Sequence, residues 1–427
     1  MTTPYFSIVI PTRNRPNLVP TAVQSVLEQD FGDFELIISD NSDPERTAET
    51  RAVLADALDD PRVRYLRPPR TLSMVDHWEW AVRQASGEFT GVLTDRSAYK
   101  LYALGMVRQE LQTHSADLIS VLAVGIRGEA APFRLRGRSA SDRATLVQSA
   151  AALAECAQVE FSSRLPRMLN SFCRTARLHE LVANYGSIFT GMAPDYSFCF
   201  RILDWLDAFL LFDSRLMVAG GESQSNGLAF TTNRMNADSR SFLALADKPL
   251  DWFRNAPIPA PVTINNNFLL LEYELARSQQ KSGRFAPIDR YAFYRRSAAE
   301  LKRLCAKGYD LAAAQQALET YRREHHISRT LSPGYALRRL QWLTKLPVRW
   351  QRLKSAWRRS ASRPGRGWPG TAPARGFNSV IEALRFEAEI VRARRLGTLL
   401  AGRWRRRAGA WRREGETCAQ EGRHCDQ

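Results

Sequence analysis

Three short polar segments near the N-terminus hold the side chains best suited to chemistry. The apolar run Tyr5–Pro11 (YFSIVIP) leads into Pro11-Thr12-Arg13-Asn14-Arg15-Pro16, a basic turn ahead of a helical pattern. Backbone N–H groups at a helix start, with arginines beside them, suit a diphosphate or a nucleotide. The run Phe34–Ser39 (FELIIS) leads into Asp40-Asn41-Ser42-Asp43, whose oxygens can accept hydrogen bonds from a base or a ribose. The run Glu88–Leu93 leads into Thr94-Asp95-Arg96-Ser97, a single carboxylate followed directly by a cation. Each segment alone is a weak signal, because Asp40 or Asp95 could equally serve a turn. Together they are a better one, since ligands of open α/β sheets bind beyond the carboxyl ends of the strands.

The elements that would position these segments follow from hydrophobic spacing. Helices are expected over Asn17–Gln29 (Leu18, Ala22 and Val26 on one face), from Pro44 to about Leu58 with Asp43 as N-cap, over Met74–Ala85 and over Tyr102–Thr113. Strands are expected at Val63–Leu66 and Asp117–Val124 in addition to the three runs above. Strands separated by helices of this length predict βαβ crossovers and a mainly parallel sheet flanked by helices. Beyond it, Gly128–Arg143 reads as a polar loop or hairpin, Ala144–Val159 as an Ala-rich helix, and residues 161–235 as a compact aromatic-rich stretch. Residues 240–330 read as helical, for example Phe268–Ser278 and Arg290–Tyr321. No internal repeat is present.

The stretch "FSIVIPTRNRPNLVPTAVQSVLEQDFGDFELIISDNSD" resembles the opening of a family 2 glycosyltransferase of GT-A fold. "LSMVDHWEWAVRQASGEFTGVLTDR" is similar to the segment before that family's metal-binding DxD motif, and "GMAPDYSFCFR" to the acceptor-side segment holding its catalytic base. The resemblance covers about residues 5–235. It implies an inverting transfer of sugar from a nucleotide-diphosphate donor, typically UDP-linked, to a hydroxyl acceptor in surface polysaccharide or glycan synthesis. It implies that Pro11, Thr12 and Arg13 line the nucleotide pocket, that Asp40 binds the base, and that Asp95 and Arg96 face the diphosphate. It further implies Asp95 as ligand of Mg²⁺ or Mn²⁺ and Asp195 as the base that deprotonates the acceptor. Two departures stand out: Thr94-Asp95-Arg96-Ser97 keeps one carboxylate where two are usual, and Pro194 precedes Asp195 where a Glu often stands. One carboxylate with substrate phosphates can still hold Mg²⁺; Arg96 could instead neutralise the diphosphate itself, or the domain could be a catalytically silent binder of nucleotide or glycan. Asp195 could also be a helix N-cap.

Charge divides the chain of 427 residues. Of 61 basic and 44 acidic side chains, 22 and 7 lie between Pro333 and Gln427, so a near-neutral body carries a cationic tail. The expected organisation is 1–125 for nucleotide-sugar binding, 126–239 for the acceptor, 240–332 as a helical extension and 333–427 as the tail. In the tail, Leu346, Trp350, Leu353 and Trp357 share one helical face, a Pro/Gly linker spans 360–375, and helix returns over Val380–Leu400. Peripheral contact with an anionic membrane through residues 337–413 is one expectation. Packing on the catalytic body is another, and no nucleic-acid-reading module is visible. No run of 18 apolar residues and no signal peptide are seen, and six cysteines make no disulfide framework. The expected location is cytoplasmic, peripheral at the inner membrane face. His77, Trp78, Cys156, Cys173 and Cys199 read as packing residues, and neither the Cys418/His424/Cys425 cluster nor Gly365–Gly370 makes a convincing site.

Overall fold

The computed structural model describes residues 3–127, 134–135, 142–220, 245, 251–259, 262, 264–328, 377, 379–389 and 391–392. The amphipathic stretch 346–357, the linker 360–375, the Gly365–Gly370 run and the Cys418–Cys425 cluster lie outside these residues.

The N-terminal half alternates as predicted: β1 (Phe6–Thr12), α1 (Val19–Leu27), β2 (Phe34–Asp40), α2 (Pro44–Val53), α3 (Ala55–Leu58), β3 (Val63–Leu66), α4 (Met74–Val82) and β4 (Phe89–Val92). These strands run parallel in the order β3-β2-β1-β4. Every residue of β1 and β2 is buried, because helices cover both faces of the sheet. Phe6, Ile8, Ile10, Leu36 and Ile38 face a core with Val19, Ala22, Val23 and Val26 of α1. Val9, Ile37 and Val92 face the other way, onto Trp78, Ala81 and Val82 of α4. Each such side chain fully buried stabilises the fold by roughly 1.5–3 kcal/mol.

Beyond β4 the sheet becomes mixed. The chain adds β5 (Ala98–Tyr99), α5 (Ala103–His114), β6 (Leu118–Arg127), β7 (Arg134–Leu135), β8 (Ala144–Gln148), α6 (Ser149–Ala157), β9 (Ser171–Arg174), α7 (Thr175–Tyr185), α8 (Pro194–Trp205) and β10 (Ala208–Ala219). The full order is β3-β2-β1-β4-β9-β6-β10-β5, with β9 antiparallel to both its neighbours and β6 parallel to β10. Helices α9 (Asn265–Ser278), α10 (Arg290–Cys305) and α11 (Ala312–Glu324) follow.

Three expectations are corrected, the first being the single helix from Pro44 to about Leu58, which is two helices parted at Leu54. Ala144–Gln148 is a strand, paired antiparallel with Ala208–Phe212, and the Ala-rich helix starts only at Ser149. Thr145 and Val147 are β-branched, and the pairing offered by β10 outweighs the helix propensity of the neighbouring alanines. Arg290–Tyr321 is two helices, broken at Gly308, whose φ of +83° a helix does not permit.

The described part of the tail packs on the body. Helix α12 (380–389) lays Ile381, Leu384 and Ala388 against Ala98, Leu101, Val124 and Val218. Lys100 Nζ meets Glu387 Oε1 at 2.6 Å, and Arg385 pairs with Glu28 at 2.5 Å. Among the described residues no helix is long and apolar enough to cross a membrane.

Candidate active site

β1 has β2 on one side and β4 on the other, so the direction of winding reverses between β1 and β4. A crevice opens at the carboxyl ends of strands at such a point. Pro11, Thr12, Asp40 and Asp95 lie at that end of the strands. Thr12, the last residue of β1, donates its hydroxyl to Asp95 Oδ2 at 3.0 Å across the switch point. In the β1–β2 register Pro11 lies opposite Ser39 and Thr12 opposite Asp40.

Asp40 is fully buried. Its Oδ1 accepts the Ser42 N–H at 2.9 Å and its Oδ2 the Tyr65 hydroxyl at 2.5 Å. Burial, then the Asp40 contact, push the Tyr65 phenol well above its ordinary range. Behind it, His77 meets Ser39 Oγ at 2.7 Å, and burial pulls its imidazole down to about 4 against the charge of Asp40. His77 is thus neutral at physiological pH, a packing and hydrogen-bonding residue rather than a charge.

The loops after β1 and β2 are laced together. Asn14, at φ +56°, donates its N–H to Ser42 Oγ at 2.7 Å and exchanges side-chain and backbone bonds with Asp43. Arg13 reaches the same loop, 3.3 Å from Asp43 and 3.4 Å from the Asn41 carbonyl. Asp43 stands at the N-cap position of α2 as expected, but its side chain goes to the 13–14 loop and makes no cap hydrogen bond.

The Thr94–Ser97 segment is a tight turn, closed by a 2.9 Å backbone bond and a 2.8 Å bond between the Thr94 and Ser97 hydroxyls. Arg96 points its guanidinium toward the Gly220 carbonyl at 3.4 Å, and Gly220 is packed so closely that a Cβ would lie 2.1 Å from the Arg96 carbonyl oxygen. Burial lowers the Arg96 pKa and the charge of Arg15 adds to this, while the charges of Asp95 and Asp195 pull it back. Asp195 stands in the first turn of α8, 3.8 Å from Arg167, which itself stacks over Tyr196. Burial raises the carboxyls of both Asp95 and Asp195 above the ordinary aspartate range despite these cations.

Two participants were not singled out from sequence. Arg15 lies 3.4 Å from Asp95 Oδ1, both side chains largely buried. Its position in the same basic turn as Arg13 was the available signal. Glu272 of α9 accepts the Met192 and Ala193 N–H groups at 2.6 and 2.9 Å through Oε1, while its Oε2 is buried without a hydrogen-bond partner. Burial pushes this carboxyl up to about 8, so at neutral pH it is mostly protonated. It fixes the backbone two residues ahead of Asp195. Gly191 (φ +66°) makes that approach feasible, because a Cβ there would sit 2.2 Å from both carboxyl oxygens.

The resemblance implies a divalent cation at Asp95. Hard cations of this kind take about six oxygen ligands. Here one carboxylate is offered, with Oδ2 engaged by Thr12 and Oδ1 by Arg15, and the charge of Arg96 alongside. Among the described residues no group of three His, Cys, Asp or Glu side chains could hold a metal ion. On its own this set does not hold a resident Mg²⁺ or Mn²⁺; a cation there would need the donor's phosphates as ligands as well.

Comparison with known proteins finds similarity in the N-terminal part of the chain. The family model described as glycosyl transferase family 2 matches residues 7–178, from β1 through most of α7. That segment is similar to glycosyl transferase family 2. A GalNAc(5)-diNAcBac-PP-undecaprenol beta-1,3-glucosyltransferase of Campylobacter jejuni is 32% identical over 109 residues, 25% of this chain and 34% of the relative. A putative colanic acid biosynthesis glycosyl transferase, WcaA, of Escherichia coli is 31% identical over 115 residues, 26% of this chain and 40% of the relative. The similarity thus spans well under half the length of these curated relatives. Among solved structures, S. aureus TarS 1-349 in complex with UDP aligns at 16% identity and a TM-score of 0.42, over 77% of this chain and 94% of that one.

Proposed function

We propose that the protein is an inverting glycosyltransferase that moves a sugar from a nucleotide-diphosphate donor, UDP-linked, to a hydroxyl of a glycan or lipid-linked acceptor in surface polysaccharide synthesis. The observation that supports it best is the grouping of Thr12, Asp40 and Asp95 at one switch point, with Asp195 within electrostatic reach of the neighbouring Arg96. Asp40 with Thr12 and Pro11 would hold the nucleoside, the 94–97 turn would face the diphosphate, and Asp195 would take the acceptor proton. A base whose pKa is raised by burial is a stronger proton acceptor once ionised. The Campylobacter relative is named for a polyprenol-linked glycan and the Escherichia one for colanic acid, which favours an acceptor of that class.

The test is UDP release from a panel of nucleotide sugars in the presence of polyprenol-linked oligosaccharides. Turnover by the wild type, lost in Asp195→Asn with UDP binding retained, is the expected result. Nucleotide binding with no turnover from any donor would instead support the silent binding domain. Equal turnover in Asp195→Asn would remove that residue from the mechanism.

A further inference from the structure

A leaving nucleoside diphosphate must be met by positive charge, and the candidate site contains that charge as side chains. We infer that Arg15 and Arg96 together take the place of a metal ion, clamping the diphosphate of the donor from either side of Asp95. The inference rests on the transferase reading above and deepens it.

Arg15 approaches Asp95 Oδ1 from the loop after β1, and Arg96 follows Asp95 directly in the turn after β4. Arg15, Asp95 and Asp195 all lie within electrostatic reach of Arg96, so both guanidiniums stand at the switch-point end of the sheet. A sugar diphosphate spanning from a base at Asp40 to an anomeric carbon near Asp195 would run beside both. Both guanidiniums are held in place without substrate. Arg15 is held by its ion pair, and Arg96 by the closed Thr94–Ser97 turn and the Gly220 backbone. A planar guanidinium matches phosphate oxygens in pairs and carries its charge at every accessible pH. Asp95 in this arrangement orients the cation. Thr12 fixes one carboxylate oxygen and leaves the other to aim Arg15, which makes Asp95 a positioning residue.

The chemistry balances with the groups present. The acceptor oxygen attacks the anomeric carbon, and the bond from that carbon to the β-phosphate oxygen breaks. The electron pair of the broken bond stays on the nucleoside diphosphate between Arg15 and Arg96, and the acceptor proton passes to Asp195. No oxidant, reductant or metal-bound water is consumed.

The experiment compares calorimetric binding of UDP and of uridine to the full chain, in EDTA and in Mn²⁺, for wild type, Arg15→Ala, Arg96→Ala and the two Lys variants. Expected are equal UDP affinities in EDTA and Mn²⁺. Each Ala substitution should weaken UDP by about tenfold or more, the size of a lost hydrogen bond to a charged group. Uridine affinity should be unchanged, and each Lys variant should recover part of the loss. The uridine measurement separates lost phosphate contact from misfolding. UDP binding that needs Mn²⁺, or Ala variants that weaken uridine as much as UDP, would overturn the arginine clamp while leaving a donor site. UDP failing to bind wild type in either condition would overturn the donor-site reading, and the clamp with it.

Discussion

The two rims of the same parallel sheet treat buried carboxylates in opposite ways. At the amino rim Glu35 accepts from Ser7 Oγ at 2.5 Å, from the Ser86 N–H and hydroxyl at 2.7 Å each, and from Arg64 at 2.6 Å. Burial alone would raise its pKa, but this set of donors outweighs it and holds the carboxyl below the ordinary glutamate range. Asp95 at the carboxyl rim, and Asp195 and Glu272 beyond it in the chain, lie deeper and have fewer donors, and burial prevails in all three. Where a fold supplies every partner, the carboxylate is a fixture of the structure. Where it withholds them, the group is ready to exchange a proton or a ligand.

The largest effect that would sharpen this contrast is on rate. Asp195→Asn should lower turnover by roughly 10²–10⁴-fold, the usual contribution of a general base, with little change in melting temperature. In the wild type, the acid limb of the rate profile should fall above the ordinary aspartate range, because burial raises the Asp195 carboxyl. A limb at the ordinary aspartate value, in steady-state kinetics across pH, would break the comparison from this side.

Next comes Glu35→Ala. It leaves the donors of Ser7, Ser86 and Arg64 facing a gap, at roughly 1–3 kcal/mol for each buried donor unsatisfied. Urea denaturation should show the loss, while UDP affinity should stay as in the wild type.

The pH dependence of stability separates the two glutamates further. Glu35 is lowered in the folded state, so its contribution is present above the unfolded value of about 4.5 and is lost as pH falls through its folded value. Glu272 is raised, so folding is favoured most below about 4.5 and loses ground as pH climbs to about 8. Glu272→Gln keeps an acceptor for Met192 and Ala193 and removes the charging step. Denaturation midpoints of this variant should therefore be flatter than wild type across that window, by up to a few kcal/mol at its upper end. The smallest effect belongs to Arg385→Ala, a half-exposed pair with Glu28, which should cost no more than about 1 kcal/mol.

The alternation of β1 through β4 was legible because strands buried on both faces read as unbroken apolar runs, FSIVIPT and FELIISD among them. The three polar strand ends were legible for the same reason, since each interrupts such a run. Glu272 was not, although it interrupts an apolar stretch too: Leu269, Leu270, Leu271 and Tyr273 around it are all buried. A lone glutamate on a helix ordinarily points to solvent, and only the tertiary fold brings this one under a loop 79 residues earlier. Arg15 was hidden differently, since spacing cannot tell which arginine of a basic turn faces inward. The break at Gly308 and the strand at Ala144–Gln148 escaped because propensity was weighed without the partners that override it.

Helix α12 covers Leu101 and Val218, a few residues along the chain from Arg96 and Gly220 respectively. Shortening the protein after residue 328 to obtain a tidier sample would strip an apolar patch bare beside the 94–97 turn. Such a fragment should be stickier in solution and looser in its grip on a nucleotide, so its inactivity would say nothing about the intact chain.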